Sequence, residues 1–326
     1  MNICLLDNSK TPYNHNSLDN ENIRGAERSL INLALKLNKL GHKITILNNN
    51  VEKINYENIR YININSYNEK INYDLAVSNN DINNFNYVKA KKKIAISHSI
   101  QTIEKFIRKR QLFAYLRHKP KIFLLGQYHK NKRNILTRVF GSEIINWAVD
   151  DDCINAKIKN KIDKDKALFT SYPDRNLNKL ISTWINYIHV KNKQIKLYTT
   201  PTNNNFNKYN IFNRKLVNRK IFIEEMLNTR VFLIPGHVAE LYCITAEEAK
   251  ELCIPIVTFG IGALSERVEH GKTGFIAKNE KEFAHYTIEL FTNNSRWNEL
   301  RSNLINMRNS NNWDIATNNF LNKCNN

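Results

Sequence analysis

The glutamates Glu240 and Glu248 lie in the stretch AELYCITAEEAKELCIPIVTFG, which contains a short mixed segment between two apolar runs. Carboxylates accept hydrogen bonds and donate none, so their natural partners are hydroxyl groups, as on a ribose or a hexose. Thr245 and Glu248 have the spacing of a capping box, which predicts a helix that begins at Thr245. The free N–H groups at a helix start suit a phosphate, so the stretch predicts a ligand with hydroxyls and an anionic group. A simpler interpretation also stands, in which Glu248 only caps the helix and Glu240 is an exposed loop carboxylate.

Short apolar runs that alternate with helical patterns must position these residues. The predicted strands are NICLLD, KITIL, DLAVS, KKIAISHS, KIFLLG and SEIINWAV in the first half, and KALFTSY, IKLYTT, RVFLIP and PIVTF in the second. The first helix carries apolar residues at helical spacing, namely Leu30, Leu33, Ala34 and Leu37. Gly41 follows where a C-terminal cap would stand. Strands that alternate with helices predict an α/β fold with parallel sheets and covered faces.

A polar, charged stretch, DDDCINAKIKNKIDKDK, separates the two series of strands and is the best linker candidate. Two α/β halves are therefore expected to meet near residue 155. Ligands of such sheets bind at the carboxyl ends of the strands, so the cleft between the halves is the expected site.

The composition narrows the class of protein. The 326 residues are 42% hydrophobic and 24% charged, and no apolar run approaches the roughly 18 residues of a membrane helix. The start, MNICLLDNSKTPYN, lacks the features of an export signal, so the expected location is the cytoplasm. The five cysteines are scattered and show no metal-ligand spacing, which argues against a disulfide framework or structural zinc.

The formal net charge of +19 is compatible with nucleic acid, anionic lipid or an anionic substrate as a partner. The chain is also rich in Asn, Lys and Ile, a bias that an AT-rich genome imposes without any selection for binding. The sequence offers no nucleic-acid recognition module, so no nucleic-acid partner is expected.

The helical pattern IEKFIRKRQLFAYLRHKPK combines apolar and basic residues. Its apolar residues are Ile103, Phe106, Ile107 and Phe113, and its basic residues are Arg108, Lys109, Arg110, Arg117 and Lys119. Such a helix would suit peripheral contact with an anionic membrane, at the inner membrane face. A solvated surface helix on a basic protein explains the pattern equally well.

The stretch around Glu240 resembles the donor-binding signature of retaining GT-B glycosyltransferases of the family 4 type (glycosyl transferases group 1). In that signature a Glu, seven residues and a second Glu are followed by Ala and a short strand opened by Pro. Glu240, LYCITAE, Glu248 and Ala249 match in order, and CIPIVTFGIGALSERVEHGKTGFIA continues the pattern. IRGAERSLINLALKLNKLGHKITIL resembles the family's first helix with its glycine loop, and NNWDIATNNFL resembles its terminal helix.

The resemblance implies the GT-B fold, with two Rossmann-like domains facing a cleft. Residues 1–155 would form the acceptor-side domain and residues 156–326 the nucleotide-sugar-binding domain. The last helix is a candidate to pack back on the N-terminal domain.

The resemblance also implies roles at matching positions. Glu240 would contact hydroxyls of the donor sugar, and Glu248 the ribose of the nucleotide. The main chain of the turn between them would bind the sugar or the diphosphate, through Tyr242, Cys243, Ile244 and Thr245. Two positions depart from the pattern. Cys243 stands where a glycine is usual, and its side chain limits how closely the backbone can approach the donor. Ala263 replaces the second glycine of a pair.

Arg175 matches the basic residue that family members place on the phosphates, where it would offset the charge that grows on the leaving diphosphate. Lys179 is a second candidate cation, out of clear register. His98 matches a family histidine that approaches the donor sugar from the first domain. Arg24 and Gly25 occupy the first glycine loop, which would line the phosphates or the acceptor. An exposed charge at Arg175 and a structural role for His98 remain open alternatives.

The run of aspartates at 150–152 contains the D-x-D spacing of metal-dependent glycosyltransferases of the other common fold. It lies at the predicted linker, so no metal site is expected. GIGALS, at 260–265, is too short for a dinucleotide fingerprint and follows the wrong strand.

The expected activity is that of a retaining glycosyltransferase, of the hexosyltransferase type (EC 2.4), that needs no metal or other cofactor. It would move a sugar from a nucleoside diphosphate sugar to a hydroxyl of a glycan or lipid-linked acceptor, in cell-surface polysaccharide or glycan synthesis. The alternative is a non-catalytic protein of the same fold that binds a sugar nucleotide or a glycan. A sugar epimerase or a phosphorylase of this fold is a further alternative.

Overall fold

The computed structural model describes residues 1–19, 23–50, 52–133, 138–139 and 141–325. The chain forms two compact units, of which the first comprises Met1–Ala148 with the chain end from Trp313, and the second comprises Val149–Asn312. Each unit contains one sheet with helices, so the predicted α/β class is confirmed. No helix in the described part of the chain combines the length and the apolar character that crossing a membrane requires.

The first unit is built on a sheet with the strand order β3-β4-β2-β1-β5-β6-β7-β8. Its strands are β1 (Asn2–Leu6), β2 (Lys43–Asn48), β3 (Ile54–Tyr56), β4 (Ile59–Asn63), β5 (Asn72–Asn79), β6 (Lys89–Ile96), β7 (Lys121–Leu124) and β8 (Ser142–Ile144). Its described helices are α1 (Gly25–Lys39), α2 (Ile103–Arg108), α3 (Leu112–His118), α4 (Gln127–Asn131) and the terminal α12 (Trp313–Asn325), with 3₁₀ turns at His15–Asp19, Ile64–Ser66 and Ile82–Tyr87. The edge strand β3 pairs antiparallel with β4, whereas the other described pairs are parallel.

The helix α1 follows the predicted pattern. Its apolar stripe is fully buried, as shown by the exposures of Leu30 (1%), Leu33 (0%), Ala34 (0%) and Leu37 (0%). Gly41 follows the helix end with φ +81° and donates its N–H to the carbonyl of Asn38 at 2.8 Å. The predicted C-terminal glycine is therefore confirmed, because this left-handed conformation favours a residue without a Cβ.

The basic pattern after β6 forms two short helices instead of one. The helices α2 and α3 are separated by Lys109–Gln111, where Arg110 has φ +52°. A left-handed residue cannot continue an α-helix, so the single predicted helix is wrong in its extent. Phe106 and Tyr115 pack edge to face at 4.7 Å and hold the two helices on the unit.

The second unit is built on a parallel sheet with the strand order β11-β10-β9-β12-β13-β14. Its strands are β9 (Lys166–Leu168), β10 (Lys196–Thr199), β11 (Ile211–Asn213), β12 (Val231–Gly236), β13 (Ile256–Ile261) and β14 (Gly274–Ile276). Its helices are α5 (Asp151–Ile154), α6 (Leu177–Thr183, continued by a π-helical turn at Trp184–His189), α7 (Arg219–Leu227), α8 (Ile244–Glu251), α9 (Leu264–Arg267), α10 (Glu280–Thr292) and α11 (Asn294–Asn306), with a 3₁₀ turn at Asn207–Tyr209.

The start of the predicted linker belongs to the second unit. Val149 and Cys153 are buried in its core together with residues of α7 and α8, and Asp150 is only 8% exposed. Of the three aspartates only Asp150 is buried, whereas Asp151 and Asp152 are exposed. Asp150 and Asp152 both lie near a cation that α7 supplies.

Candidate functional site

The carboxyl ends of β9, β12 and β13 lie side by side in the second unit, because these strands are neighbours in a parallel sheet. Arg175 follows β9, Glu240 follows β12, and Gly262 follows β13. The carboxyl edge of a parallel α/β sheet is where ligands of such folds bind. Three loops of the sequence thus meet at one edge.

Glu240 and Arg175 form an ion pair at this edge. The distance from Arg175 Nε to Glu240 Oε2 is 3.6 Å, and Arg175 Nη1 also lies 3.1 Å from Asp174 Oδ2. Burial raises the pKa of the Glu240 carboxyl, and the Arg175 cation opposes that rise. The pair places a carboxylate, which accepts hydrogen bonds from hydroxyl groups, next to a cation of a kind that suits a phosphate.

Glycines fix the shape of the loop that carries Glu240. Gly262 has φ +74°, and a Cβ there would lie 2.4 Å from the carbonyl oxygen of His237. Gly236 has φ +89°, and a Cβ there would lie 2.7 Å from the carbonyl oxygen of Ile261. The Ala263 N–H donates to the Glu240 carbonyl at 2.8 Å, with Ala263 in ordinary helical geometry at φ −68°. Alanine at that position therefore costs no backbone strain.

The helix α8 begins at Ile244 and not at Thr245. Cys243 is its N-cap, with φ +65° and ψ 73°, and no side chain caps the helix. The predicted capping box is therefore wrong, because Thr245 lies inside the first turn. Thr245 Oγ1 instead lies 3.6 Å from Cys243 Sγ. The side chains of Ile244 and Thr245 are half-buried, and their N–H groups are at the helix start, where an anion is favoured.

Cys243 occupies a left-handed conformation, with φ +65°, which favours a residue without a Cβ. The Cys243→Gly variant is expected to be more stable than Cys243→Ala by about 1 kcal/mol, because a Cβ costs roughly that much in this conformation. Alanine is normally the more stable of the two. Urea unfolding of both variants measures the difference in stability. Equal stability, or a more stable alanine variant, contradicts the backbone strain at position 243.

Tyr242 contributes its side chain to the core and not to a binding surface. It is 4% exposed, the Arg267 guanidinium lies 4.2 Å from its ring centroid, and Asn311 donates to its hydroxyl at 3.3 Å. Arg267 Nε also donates to the Tyr242 carbonyl at 2.9 Å. Sequence reasoning missed Arg267, because it lies among other charged residues such as Glu266 and Glu269 and gives no local signal of its partner.

Glu248 is held by a second cation that sequence reasoning missed. Its side chain is 4% exposed, and Arg219 Nη1 lies 2.7 Å from its Oε1. Arg219, at the start of α7, also reaches Asp152 Oδ2 at 3.0 Å and Asp150 Oδ2 at 3.8 Å. Burial tends to lower the pKa of Arg219, but the carboxylates around it outweigh this effect and raise it. The aspartate run was the available signal, since adjacent carboxylates attract a cation.

Lys179 is engaged away from the pair. Its Nζ lies 3.2 Å from Glu280 Oε1 and 4.1 Å from the centroid of the Phe259 ring. Arg175 is therefore the cation that the structure places beside Glu240.

His98 follows β6 in the first unit. Its backbone N–H donates to Asn80 Oδ1 at 3.2 Å. Its ring stacks on that of Trp147, with the two ring centroids 6.4 Å apart. Within the described residues its Nε2 is buried without a hydrogen-bond partner. Burial, together with the nearby His129, lowers the pKa of His98 to about 4. The imidazole is therefore neutral near pH 7, able to donate one hydrogen bond but not to act as a cation.

Arg24 and Gly25 lie at the start of α1 in the first unit, and both are exposed. Glu27, in the same turn, is buried, and burial raises its pKa. Residues 20–22 of the preceding loop lie outside the described residues. The structure thus brings Arg175, Glu240 and the start of α8 together in the second unit, which also contains Tyr242 and Glu248, while Arg24, Gly25 and His98 belong to the first unit.

No group of three or more His, Cys, Asp or Glu side chains in the described ranges is arranged to hold a metal ion. The aspartate run at 150–152, which has a D-x-D spacing, faces the arginine of α7 instead.

Solved structures share this fold over nearly the whole chain. WaaG, a glycosyltransferase involved in lipopolysaccharide biosynthesis, matches with a TM-score of 0.68 at 12% identity, over 97% of this chain and 98% of that one. The sucrose-phosphate synthase of Thermosynechococcus elongatus matches with a TM-score of 0.70 at 11% identity, over 98% and 97%. Anabaena HepE, solved with UDP and glucose, matches with a TM-score of 0.69 at 14% identity, over 99% of each chain. The chain therefore has the GT-B fold, as predicted.

Residues 208–308 match the family model described as Glycosyl transferases group 1. This segment contains Glu240, Glu248 and the whole of α8. The match and the fold together support a glycosyltransferase of the GT-B type. No curated protein matches the sequence.

Proposed function

We propose that the protein is a retaining glycosyltransferase of the family 4 type that uses a nucleoside diphosphate sugar as donor. The observation that carries this proposal is the Arg175–Glu240 pair, 3.6 Å apart at the carboxyl edge of the second sheet. Glu240 lies within the segment that matches the glycosyl transferases group 1 model. The acceptor is proposed to be a hydroxyl of a glycan or of a lipid-linked glycan, in cell-surface polysaccharide or glycan synthesis.

The chain's residues supply binding and electrostatic stabilisation in this reaction. The diphosphate lies at the N-terminus of α8, where the free N–H groups favour an anion. Arg175 offsets the negative charge that grows on the leaving diphosphate, and Glu240 accepts hydrogen bonds from hydroxyls of the donor sugar. Retention follows from front-face displacement, in which the leaving phosphate removes the proton of the acceptor hydroxyl. This scheme assigns no role to a protein nucleophile, a metal or another cofactor.

A panel of nucleoside diphosphate sugars tests the proposal through two measurements, the thermal shift of the protein and the release of free nucleotide. UDP-glucose is the first member, since HepE was solved with UDP and glucose. Stabilisation by one donor, together with slow donor hydrolysis that is strongly reduced in Glu240→Ala and Arg175→Ala, is the expected result. No shift with any donor or nucleotide contradicts the proposal.

A non-catalytic protein that binds sugar nucleotides is the second candidate. Two observations favour it, the cysteine at the left-handed N-cap of α8 and the buried engagement of Glu248 with Arg219. Such a protein would show the thermal shift without nucleotide release or sugar transfer, so the same panel separates the two functions.

The surface of α2 and α3 is proposed as a contact with anionic lipid, which would place a cytoplasmic enzyme at the inner membrane face. Its large apolar side chains are exposed, namely Ile103 (41%), Ile107 (64%), Leu112 (41%), Phe113 (80%) and Leu116 (54%). Its basic residues are Lys105, Arg108, Lys109, Arg110, Arg117 and Lys119. Exposed apolar side chains among cations are typical of helices that lie at a membrane surface.

The double variant Phe113→Asp/Leu116→Asp is expected to lower binding to vesicles of phosphatidylcholine and phosphatidylglycerol by at least about tenfold. Burying each of these side chains in the bilayer contributes about 1.5–3 kcal/mol, and the added carboxylates are repelled by the lipid. Vesicle co-sedimentation measures the effect. Val190→Asp, which changes a 60% exposed apolar residue of the second unit, is the matched control. Equal loss in both variants, or no binding by the parent protein, rules out this surface.

A further inference from the structure

A polar pocket in the first unit has no part in the proposed donor site. It encloses about 270 Å³ and is partly open to solvent. Its walls come from the residues after β5 and β6, from α2 and from the turn that follows α2. The polar lining includes Asn80, Ser97, Gln101, Lys105, Lys109 and Gln111. The proposed donor contacts belong to the second unit, so this pocket is available to the other substrate, the acceptor.

Two lysines of the pocket carry charges that no carboxylate neutralises in the described part of the chain. Lys105 is half-buried on α2, and Lys109 lies four residues later, at the end of the same helix. Neither ammonium group has an ion pair or a hydrogen bond within these residues. Burial lowers the pKa of Lys105, and the charges of Lys109 and Arg108 lower it further. Unpaired like charges at this spacing are unfavourable, so they favour an anion between them.

The carboxylate that follows β5, Asp81, is engaged by other groups. Its Oδ1 accepts from Gln111 Nε2 and from the Asn83 N–H, each at 3.0 Å, and its Oδ2 accepts from Asn8 Nδ2 at 2.9 Å. Glu104 of α2 is exposed and does not line the pocket. An anion from solution can therefore approach the two ammonium groups without displacing a carboxylate of the protein.

Two amide side chains of the lining have polar groups left for a ligand. Asn80 Oδ1 accepts from the His98 N–H and from the Ser99 hydroxyl, each at 3.2 Å. Because these two groups fix the oxygen, the Asn80 amide nitrogen remains as a hydrogen-bond donor. Gln101 is 7% exposed, and its Nε2 donates to the Tyr115 hydroxyl at 2.9 Å. Its Oε1 is buried without a partner in the described residues, which is costly unless a ligand hydroxyl donates to it.

The charge of the pocket matches a phosphate ester better than a carboxylate. A phosphate monoester carries about −1.5 to −2 charges near pH 7, which two lysines balance, whereas a carboxylate would leave one lysine unneutralised. We infer that this pocket binds a phosphate group of the acceptor, with Lys105 and Lys109 as counter-charges, Asn80 as a hydrogen-bond donor and Gln101 as the partner of a neighbouring hydroxyl. This inference rests on the proposed function and names its acceptor class, a sugar or glycan that carries a phosphate.

Equilibrium dialysis of radiolabelled inorganic phosphate against the full chain tests the inference, with saturating UDP present to fill the donor site. Lys105→Gln/Lys109→Gln is expected to bind phosphate at least about tenfold more weakly than the parent protein, because two charge-assisted contacts are lost. The matched control is Lys70→Gln/Lys89→Gln, which also removes two positive charges from exposed residues of the first unit. These lysines lie at the amino ends of β5 and β6, and the pocket lies at the carboxyl ends. No binding by the parent protein, or an equal loss in both variants, overturns the inference.

Two competitors of the labelled phosphate identify the chemistry and the source of the ligand. Glucose 6-phosphate is expected to displace the label at least about tenfold better than glucuronate, which has a carboxylate in place of the phosphate ester. Equal effects of the two compounds overturn the phosphorylated acceptor. Vesicles of phosphatidylcholine and phosphatidylglycerol are expected to leave the label bound. Displacement by vesicles assigns the pocket to a lipid headgroup and overturns its assignment to the acceptor.

Failure of this inference and failure of the proposed function give different results. If UDP raises the melting temperature but the chain binds no phosphate beside it, only the phosphorylated acceptor is overturned. If UDP, GDP and ADP all leave the melting temperature unchanged, the proposed function fails, and the assignment of the pocket to an acceptor fails with it.

Discussion

Replacing Glu240 by glutamine is expected to lower the rate of sugar transfer by about 100- to 1000-fold, the range seen when one preorganised electrostatic group is removed from an active site. The carboxamide has nearly the same shape but loses the negative charge that orients donor hydroxyls beside Arg175. Nucleotide affinity is expected to change by less than about threefold, because the proposed position of the diphosphate is at the start of α8 and not at this carboxylate. Initial rates with the donor found in the panel, together with calorimetric titration of the nucleotide, measure both quantities.

Glu269→Gln is the matched control for this substitution. Glu269 is also in the second unit, its side chain is 53% exposed, and its ion pair with Lys272 is on the surface. Its replacement is expected to leave transfer unchanged. A rate loss of less than about tenfold in Glu240→Gln contradicts a direct role for Glu240, because that corresponds to only about 1.4 kcal/mol of transition-state stabilisation.

The ion pair between Arg175 and Glu240 predicts a pH dependence of sugar transfer. Burial raises the pKa of Glu240 and Arg175 lowers it, so Arg175→Ala is expected to raise that pKa further. In the proposed reaction, transfer requires the carboxylate form of Glu240, so activity is expected to fall as the pH falls through this pKa. The acid limb of the kcat/KM profile should move to higher pH in Arg175→Ala. If the acid limb stays in place or moves to lower pH, a group other than Glu240 controls the loss of activity at low pH.

Local patterns in the sequence were sufficient to predict the helices and strands that carry the site. The apolar stripe of α1 and the glycine after it were recognisable because both depend on residues within a few positions of each other. The order of β12, α8 and β13 was readable for the same reason, and it places Glu240 after a strand and Glu248 on a helix. The loops after β12 and β13 approach each other closely, and the glycines Gly236 and Gly262 in the sequence indicate this approach.

The features that the sequence did not disclose depend on backbone geometry or on distant partners. Thr245 and Glu248 satisfied the spacing of a capping box, but the left-handed conformation of Cys243 starts the helix one residue earlier. The break between α2 and α3 depends on a single left-handed arginine, a residue type that gives no warning of it. Arg219 lies 67 positions from Asp152 along the chain, so only the folded sheet brings its charge to the aspartates.

Replacing Arg219 by leucine is expected to lower the free energy of unfolding by about 3–5 kcal/mol, the usual cost of removing one partner from a buried ion cluster. Glu248 and Asp150 would remain buried without their cation. The lost attraction itself is partly offset, because the guanidinium no longer has to be desolvated. The melting temperature and urea unfolding of the variant measure the loss.

Lys272→Leu is the control, because Lys272 and Glu269 form a 2.8 Å pair with side chains 56% and 53% exposed. Removing such a surface pair is expected to change stability by less than about 1 kcal/mol. The double variant Arg219→Leu/Glu248→Leu should recover part of the loss, since it removes one of the unpaired carboxylates together with the cation. If Arg219→Leu is as stable as Lys272→Leu, Arg219 and Glu248 do not form a buried ion pair in solution.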